Sequence, residues 1–206
     1  MNEAIIKHAS KTALTLIVFA LTYTGLLAFV EGLTKAPIEK SDQLARMELF
    51  SQIVPKNLYN NDLLKDSIEI APNDLLGNKE PITANRARIN NKPSAVIFEA
   101  LAHDGYNGDI KLLIAINVDG SIVGVRVIKH KETPGLGDYI DIAKGNWIKL
   151  FDAESLQKTS EVNWQVKKDG GQFDYMAGAT ITPRAVVKAV HKALQYFAAN
   201  KAALFK

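Results

Sequence analysis

Two short segments carry residue types whose spacing could do chemistry. The first, DYMAGATITP over residues 174–183, sets a hydroxyl, Thr180, directly after the small residues Ala177, Gly178 and Ala179. Small side chains let a bulky group approach the backbone. A helix starting here would offer unpaired N–H groups and a positive partial charge, which favour a phosphate. The Thr180 hydroxyl is then placed to carry a phosphate as an ester. A plainer reading stands beside this one and is preferred by spacing alone: a tight turn into a helix, with Thr180 or Thr182 serving only as a cap.

The second segment is HKETPGLGDYI, residues 130–140. Pro134 fixes one φ, while Gly135 and Gly137 reach conformations closed to other residues. A rigid loop of this kind, after a strand and before a helix, can lie flat against a ligand, or can simply connect the two. It lacks the length and the Gly-Lys-Ser/Thr ending of a phosphate-cradling P-loop, and it is no dinucleotide fingerprint. The four histidines, His8, His103, His130 and His191, have no metal-ligand spacing. No Ser-His-Asp order with a nucleophile elbow occurs either. No catalytic or metal-binding residue is therefore assigned, and His130 is read as a hydrogen-bond partner within its loop. Gly105-Tyr106-Asn107-Gly108 is first a turn, and second a candidate ligand-facing loop. Lys167-Lys168 could meet a phosphate, although a solvated face explains them as well.

The absence of cysteine excludes thiolate metal sites, disulfides and thiol nucleophiles, and suits an oxidising compartment. A net charge of +3 over 206 residues, with no basic stripe interleaved with aromatics, gives no reason to expect nucleic acid. With 47% hydrophobic and 23% charged residues, the chain can build a globular core.

The elements that must position these segments begin with a membrane anchor. ALTLIVFALTYTGLLAFV, residues 13–30, carries no charge and would rise about 27 Å as a helix, close to the hydrocarbon thickness. Its threonines do not spoil the span, because a helical Thr can return its hydroxyl to a backbone carbonyl. Lys7 and Lys11 favour a cytoplasmic tail over residues 1–12, leaving everything after Glu31 outside. A cleaved signal peptide, with a weak site near Ala28–Val30, or a buried core helix are the alternatives.

Residues 31–92 read as a juxtamembrane helix and a connecting region. Ile38, Leu44, Met47, Phe50 and Ile53 lie near helical spacing, and Pro55 closes the run. Asn60-Asn61 and Asn90-Asn91 mark turns, with one short strand around Ser67–Ile70. Residues 93–206 form the main domain. SAVIFEAL (94–101), IKLLIAINV (110–118) and SIVGVRVIK (121–129) read as strands, the last two joined by a type I′ turn at Asp119-Gly120. A helix is expected over Tyr139–Phe151, with Ile142, Trp147 and Leu150 inward, and a short strand over Asn163–Lys167. The final helix has Thr182 as N-cap, Pro183 in first position, and Val186, Val190, Ala193, Leu194 and Phe197 on one apolar face. This order gives an α+β domain with an antiparallel sheet.

At these residues the chain resembles the RnfG (or RsxG) proteins of Rnf-type ion-translocating oxidoreductase complexes. The wider group is an FMN-binding domain family that also occurs in the C subunit of the sodium-pumping NADH:quinone reductase. The resemblance runs along the whole chain. It rests on the single span, GYNG at 105–108, HKETPGLGD at 130–138, KKDGG at 167–171 and FDYMAGATITPRAVV at 173–187, in that order.

The resemblance implies an electron-transfer subunit of the bacterial inner membrane, its bulk periplasmic, working with other subunits of the complex in ferredoxin- and NAD-linked chemistry. It implies covalent FMN on Thr180 through a phosphoester, which makes the chain a phosphoprotein, and a Mg²⁺-dependent flavin transferase that attaches it. Asp174, Gly178, Ala179 and Thr180 match the family's D-x-x-S/T-G-A-T motif. Ala177 departs from it, at a position that is more often Ser or Thr. The same resemblance lines the flavin with the ETPGLG loop, that is Glu132, Thr133, Gly135, Leu136 and Gly137, with Thr133 and Leu136 nearest the ring. The related quinone-reductase component, or a flavin-free exported scaffold module, are the competing readings.

Overall fold

The computed structural model describes residues 2–206. The chain divides into two compact units, one ending at Arg46 and the other covering Met47–Lys206.

One helix, α1 (Asn2–Ile53), accounts for the described residues of the first unit and for residues 47–53 of the second. An 18-residue window within it reaches a mean hydropathy of 2.2 with none of that window buried, so α1 is long and apolar enough to cross a membrane. Its threonine hydroxyls are satisfied inside the helix. Thr12, Thr15, Thr22, Thr24 and Thr34 each donate to the carbonyl four residues earlier, at 2.8–3.0 Å. In hydrocarbon no water could replace those acceptors. The expected juxtamembrane helix is the C-terminal part of α1. Pro37 lies within it and cannot donate to the carbonyl of Leu33. Of the apolar positions at helical spacing, Phe50 and Ile53 are buried and Met47 is partly so, whereas Ile38 and Leu44 are exposed.

The second unit is an antiparallel meander with a helix on one face. Strands β1 (Ser67–Ile70), β2 (Ile82–Ile89), β3 (Lys92–Gly105), β4 (Gly108–Asn117) and β5 (Ile122–Lys129) pair in sequence order. Helix α2 (Ile181–Leu204) follows a long stretch of short 3₁₀ turns. The α+β expectation is met.

Alternation along the central strands sorts the core into two layers. Val96, Phe98, Ala100, Ile110, Leu112 and Ile114 join Val186, Val190, Leu194 and Phe197 of α2 on one face. Ala95, Ile97, Leu113 and Ala115 meet Phe50, Ile53, Val54 and Leu63 on the other. Both faces of β3 and β4 are thus covered, which explains their nearly continuous apolar sequences.

Four sequence expectations need correction. The segment ITANRARI, which reads as loop because its polar residues hide the pattern, is strand β2. Arg86 and Arg88 both reach Asp66, at 2.5 and 2.8 Å, and the Asn85 amide donates to the Leu63 carbonyl. β1 and β2 thus belong to the same sheet as β3, within the compact unit Met47–Lys206.

The expected type I′ turn also moves. Asp119 does not have positive φ; only Gly120 does, at +94°, and its N–H closes the turn on the Asn117 carbonyl at 2.9 Å. The turn with two consecutive positive φ values is Asn90-Asn91 (+50° and +64°), between β2 and β3.

The expected helix over Tyr139–Phe151 is two 3₁₀ turns, Gly137–Ile140 and Trp147–Phe151. Between them the Asp141 carboxylate accepts the Ala143 N–H at 3.0 Å, a local bond that competes with helix continuation. Ile140, Ile148 and Phe151 are the buried residues there, Ile142 and Trp147 pack partly, and Leu150 is exposed.

The expected strand Asn163–Lys167 reduces to a single bridge between Val166 and Phe173. Gly170 turns the chain at φ +90°, and Gly171 lies so close to Gln165 that a Cβ would collide with its carbonyl. The chain doubles back before a ladder can form.

Phe98 is fully buried and meets Tyr196 of α2 edge-on at 6.1 Å. Phe98→Ala should cost about 3–5 kcal/mol by opening a cavity between sheet and helix. A urea titration of the full chain in detergent checks it, and an unchanged midpoint would contradict this packing.

Candidate functional site

Three segments converge at one end of the sheet: the β3–β4 turn, the loop leaving β5, and the approach to α2. They enclose a cavity of about 310 Å³. Glu132, Thr133, Leu136 and Gly137 line it from the loop, and Gly178, Ala179 and Thr180 line it from the approach. Both segments singled out for chemistry therefore face one space.

Glu132 organises this convergence. Its side chain is buried, with the residue 4% exposed, and each carboxylate oxygen has a partner from another segment. Oε1 accepts the Asn107 N–H at 3.1 Å, and Oε2 accepts the Thr182 hydroxyl. Its own N–H donates to His130 Nδ1 at 3.1 Å, the in-loop role expected of that histidine. The Asn107 side chain also donates to Thr133 Oγ1 at 3.2 Å, a second bond between turn and loop.

Glycine makes this possible. A Cβ on Gly137 would lie 2.8 Å from Thr182 Oγ1 and 2.9 Å from Glu132 Oε2. A Cβ on Gly105 would collide with the Gly108 carbonyl and lie 3.0 Å from Glu132 Oε1.

Gly135 and Asp174 do not line the cavity. Gly135 turns the loop at φ +74°, with its N–H held by Asp138 Oδ1 at 2.8 Å. Asp174 is 57% exposed at its side chain and ion-paired with Lys167 at 2.5 Å. Its carbonyl accepts Trp147 Nε1 at 2.7 Å, which fixes the start of the motif against the 3₁₀ turns. Nearby, Tyr139 OH accepts the Met176 N–H at 3.3 Å, and burial pushes the Tyr139 phenol above its usual pKa.

Sequence reasoning missed three lining residues: Tyr106, Ile181 and Thr182. Tyr106 lies in the turn already considered as ligand-facing, so a signal for it exists. Thr182 is expected from its spacing to be the N-cap. Instead Thr180 holds the cap position and Thr182 sits inside the helix, 1% exposed, bonded to Glu132. Ile181 is a half-exposed isoleucine with no spacing signal.

The residues present suit a ligand with a phosphate and a flat apolar part. Thr180 Oγ1 makes no capping bond. Among the described residues, no protein group accepts the N–H of Ile181 or of Thr182, leaving the positive helix end to an anion. Gly178, at φ +87°, has open space where a Cβ would stand. Tyr106, Leu136 and Ile181 supply exposed apolar surface at the rim. Among the described residues no group of three or more metal-ligating side chains forms.

Comparison with known proteins finds two family models that match the chain. One is described as an FMN-binding domain and matches residues 105–195; the other, as the RnfG N-terminal region, matches residues 1–53. The chain is 46% identical over 201 residues to the G subunit of an ion-translocating oxidoreductase complex from Pseudomonas aeruginosa, covering 98% of this chain and 94% of the relative. It is 45% identical to the corresponding protein of Shewanella loihica, covering 99% and 94%. For that of Vibrio atlanticus the identity is 43%, over 94% and 92%.

Gly137→Ala should destabilise the second unit by about 1–3 kcal/mol, because its Cβ meets two atoms that hold the loop to α2. A wild-type melting temperature for this variant would contradict the close approach at Gly137.

Proposed function

The chain belongs to the RnfG family of ion-translocating oxidoreductase complexes, and from that premise we propose that Thr180 Oγ1 carries FMN through a phosphoester. The chain is an electron-transport component of such a complex and has an FMN-binding domain. Its near full-length match to RnfG relatives favours this role over a quinone-reductase component or a flavin-free scaffold.

One observation carries the attachment reading. Thr180 presents a hydroxyl free of capping at the wall of the cavity, beside the unpaired N–H groups of the first turn of α2. A phosphate esterified there would receive those N–H groups and the helix dipole. Leu136, Tyr106 and Ile181 would cover apolar ring surface, and Thr133 and Glu132 would hold the loop in place. Bound FMN supplies one-electron redox chemistry; the protein supplies attachment, orientation and exclusion of water.

The Thr180 hydroxyl is an acceptor modified by another enzyme, a Mg²⁺-dependent flavin transferase, and not a nucleophile that turns over substrate. Asp174, outside the cavity and exposed, is available to that transferase rather than to the flavin. Ala177, also exposed, leaves the acceptor intact. Lys7 and Lys11 beside the apolar stretch support a cytoplasmic tail, with the flavin domain on the periplasmic side. A tether is useful there, since a dissociated FMN would be lost from the cell. On this reading the chain would hold that group for electron transfer between neighbouring subunits in ferredoxin- and NAD-linked chemistry.

The test is intact-mass and denaturing-gel fluorescence measurement on the full chain made together with the transferase. Wild type and Thr180→Ser should carry one FMN adduct through denaturation, and Thr180→Ala none. Covalent flavin on Thr180→Ala would sink the reading.

A further inference from the structure

An N-cap threonine ordinarily accepts the N–H of the second or third helical residue with its hydroxyl oxygen. At the start of α2 both arrangements are absent. The third residue is Pro183, which has no N–H to give. The second is Thr182, and Thr180 does not take its N–H. Thr180 also has φ −77° and ψ −27°, a helical conformation rather than the extended one typical of a capping residue.

The first turn is held from outside instead. Thr182 donates its hydroxyl to the buried carboxylate of Glu132, which is itself fixed by the Asn107 N–H. Gly137 closes over the pair with no room for a side chain. The Glu132 charge lies near the positive end of α2, where it also favours the helix dipole.

We infer that Thr182 is a positioning residue for the modification of Thr180: bonded to Glu132, it anchors the first turn of α2 in place of a cap and leaves the Thr180 hydroxyl uncommitted. This rests on the reading that Thr180 is the flavin acceptor. Pro183 belongs to the same device, since it withholds the N–H that would otherwise compete for the Thr180 oxygen. The arrangement separates two jobs that a single capping threonine would have to combine, starting the helix and accepting a phosphoryl group.

The experiment follows the initial rate of covalent flavin incorporation into the full chain, with purified transferase and flavin donor at saturation, alongside melting temperature. Thr182→Val keeps the shape and loses the hydroxyl. Its rate should fall roughly tenfold, the scale of one hydrogen bond to a charged group. Thr182→Ser should recover most of that rate. Pro183→Ala returns an N–H to the third helical position and should slow incorporation while the chain stays folded. Should Thr182→Val not fold, Pro183→Ala decides alone. Wild-type rates for folded Thr182→Val or for Pro183→Ala, or no rescue by Thr182→Ser, would overturn the inference. Thr180→Ala is the control that separates it from the attachment reading: flavin retained there removes the acceptor itself, whereas a flavin-free control leaves the Thr182 result to stand on its own.

Discussion

The buried carboxylate of Glu132 is the constraint on which the site depends. A carboxylate out of water is costly unless each oxygen finds a donor. Here the donors come from the β3–β4 turn and from α2, segments far apart in sequence. Satisfying one charge therefore brings three parts of the chain together. Two glycines, Gly105 and Gly137, give up side chains so that the backbone can close around it. The cavity is the space left between segments fastened at this point.

The rest of the second unit makes that fastening rigid. The meander packs α2 across one face, with Phe98 against Tyr196. The 3₁₀ turns are pinned by a run of rings in contact, Tyr139 to Trp147 to Phe151 to Phe173 to Trp164, ending on His191 of α2. Phe173 immediately precedes Asp174. The ring cluster thus anchors one end of the DYMAGAT segment, and the Glu132–Thr182 bond anchors the other. Between the anchors Tyr175, Met176, Ala177 and Gly178 remain exposed, which leaves the segment open to another protein.

Much of this was legible in the residues. β3, β4 and β5 declare themselves because their apolar runs are long and bounded by turn residues. The α2 apolar face follows from helical spacing. β2 was illegible because Asn85, Arg86 and Arg88 look like loop residues until Leu63 and Asp66 provide their partners. Tyr139–Phe151 reads as helix because the spacing of Ile142, Trp147 and Leu150 imitates one. Tertiary packing of Ile148 and Phe151 settled on shorter turns. Thr180 and the ETPGLG loop stood out by their residue types, and physics alone offered for Thr180 both a helix cap and a phosphate position.

What the sequence determined by itself was the set of parts: an apolar span with self-satisfied threonines, an antiparallel sheet, a closing helix, and two glycine-bearing segments fit to meet a ligand. These follow from periodicity, turn chemistry and backbone freedom, all local properties. The tertiary structure alone decided that the two segments share one cavity, that Thr182 rather than Thr180 secures the start of α2, and that Asp174 stands outside. The reason is physical. Those outcomes depend on which buried polar atoms become each other's partners, and a partner fifty positions away leaves no mark on local spacing.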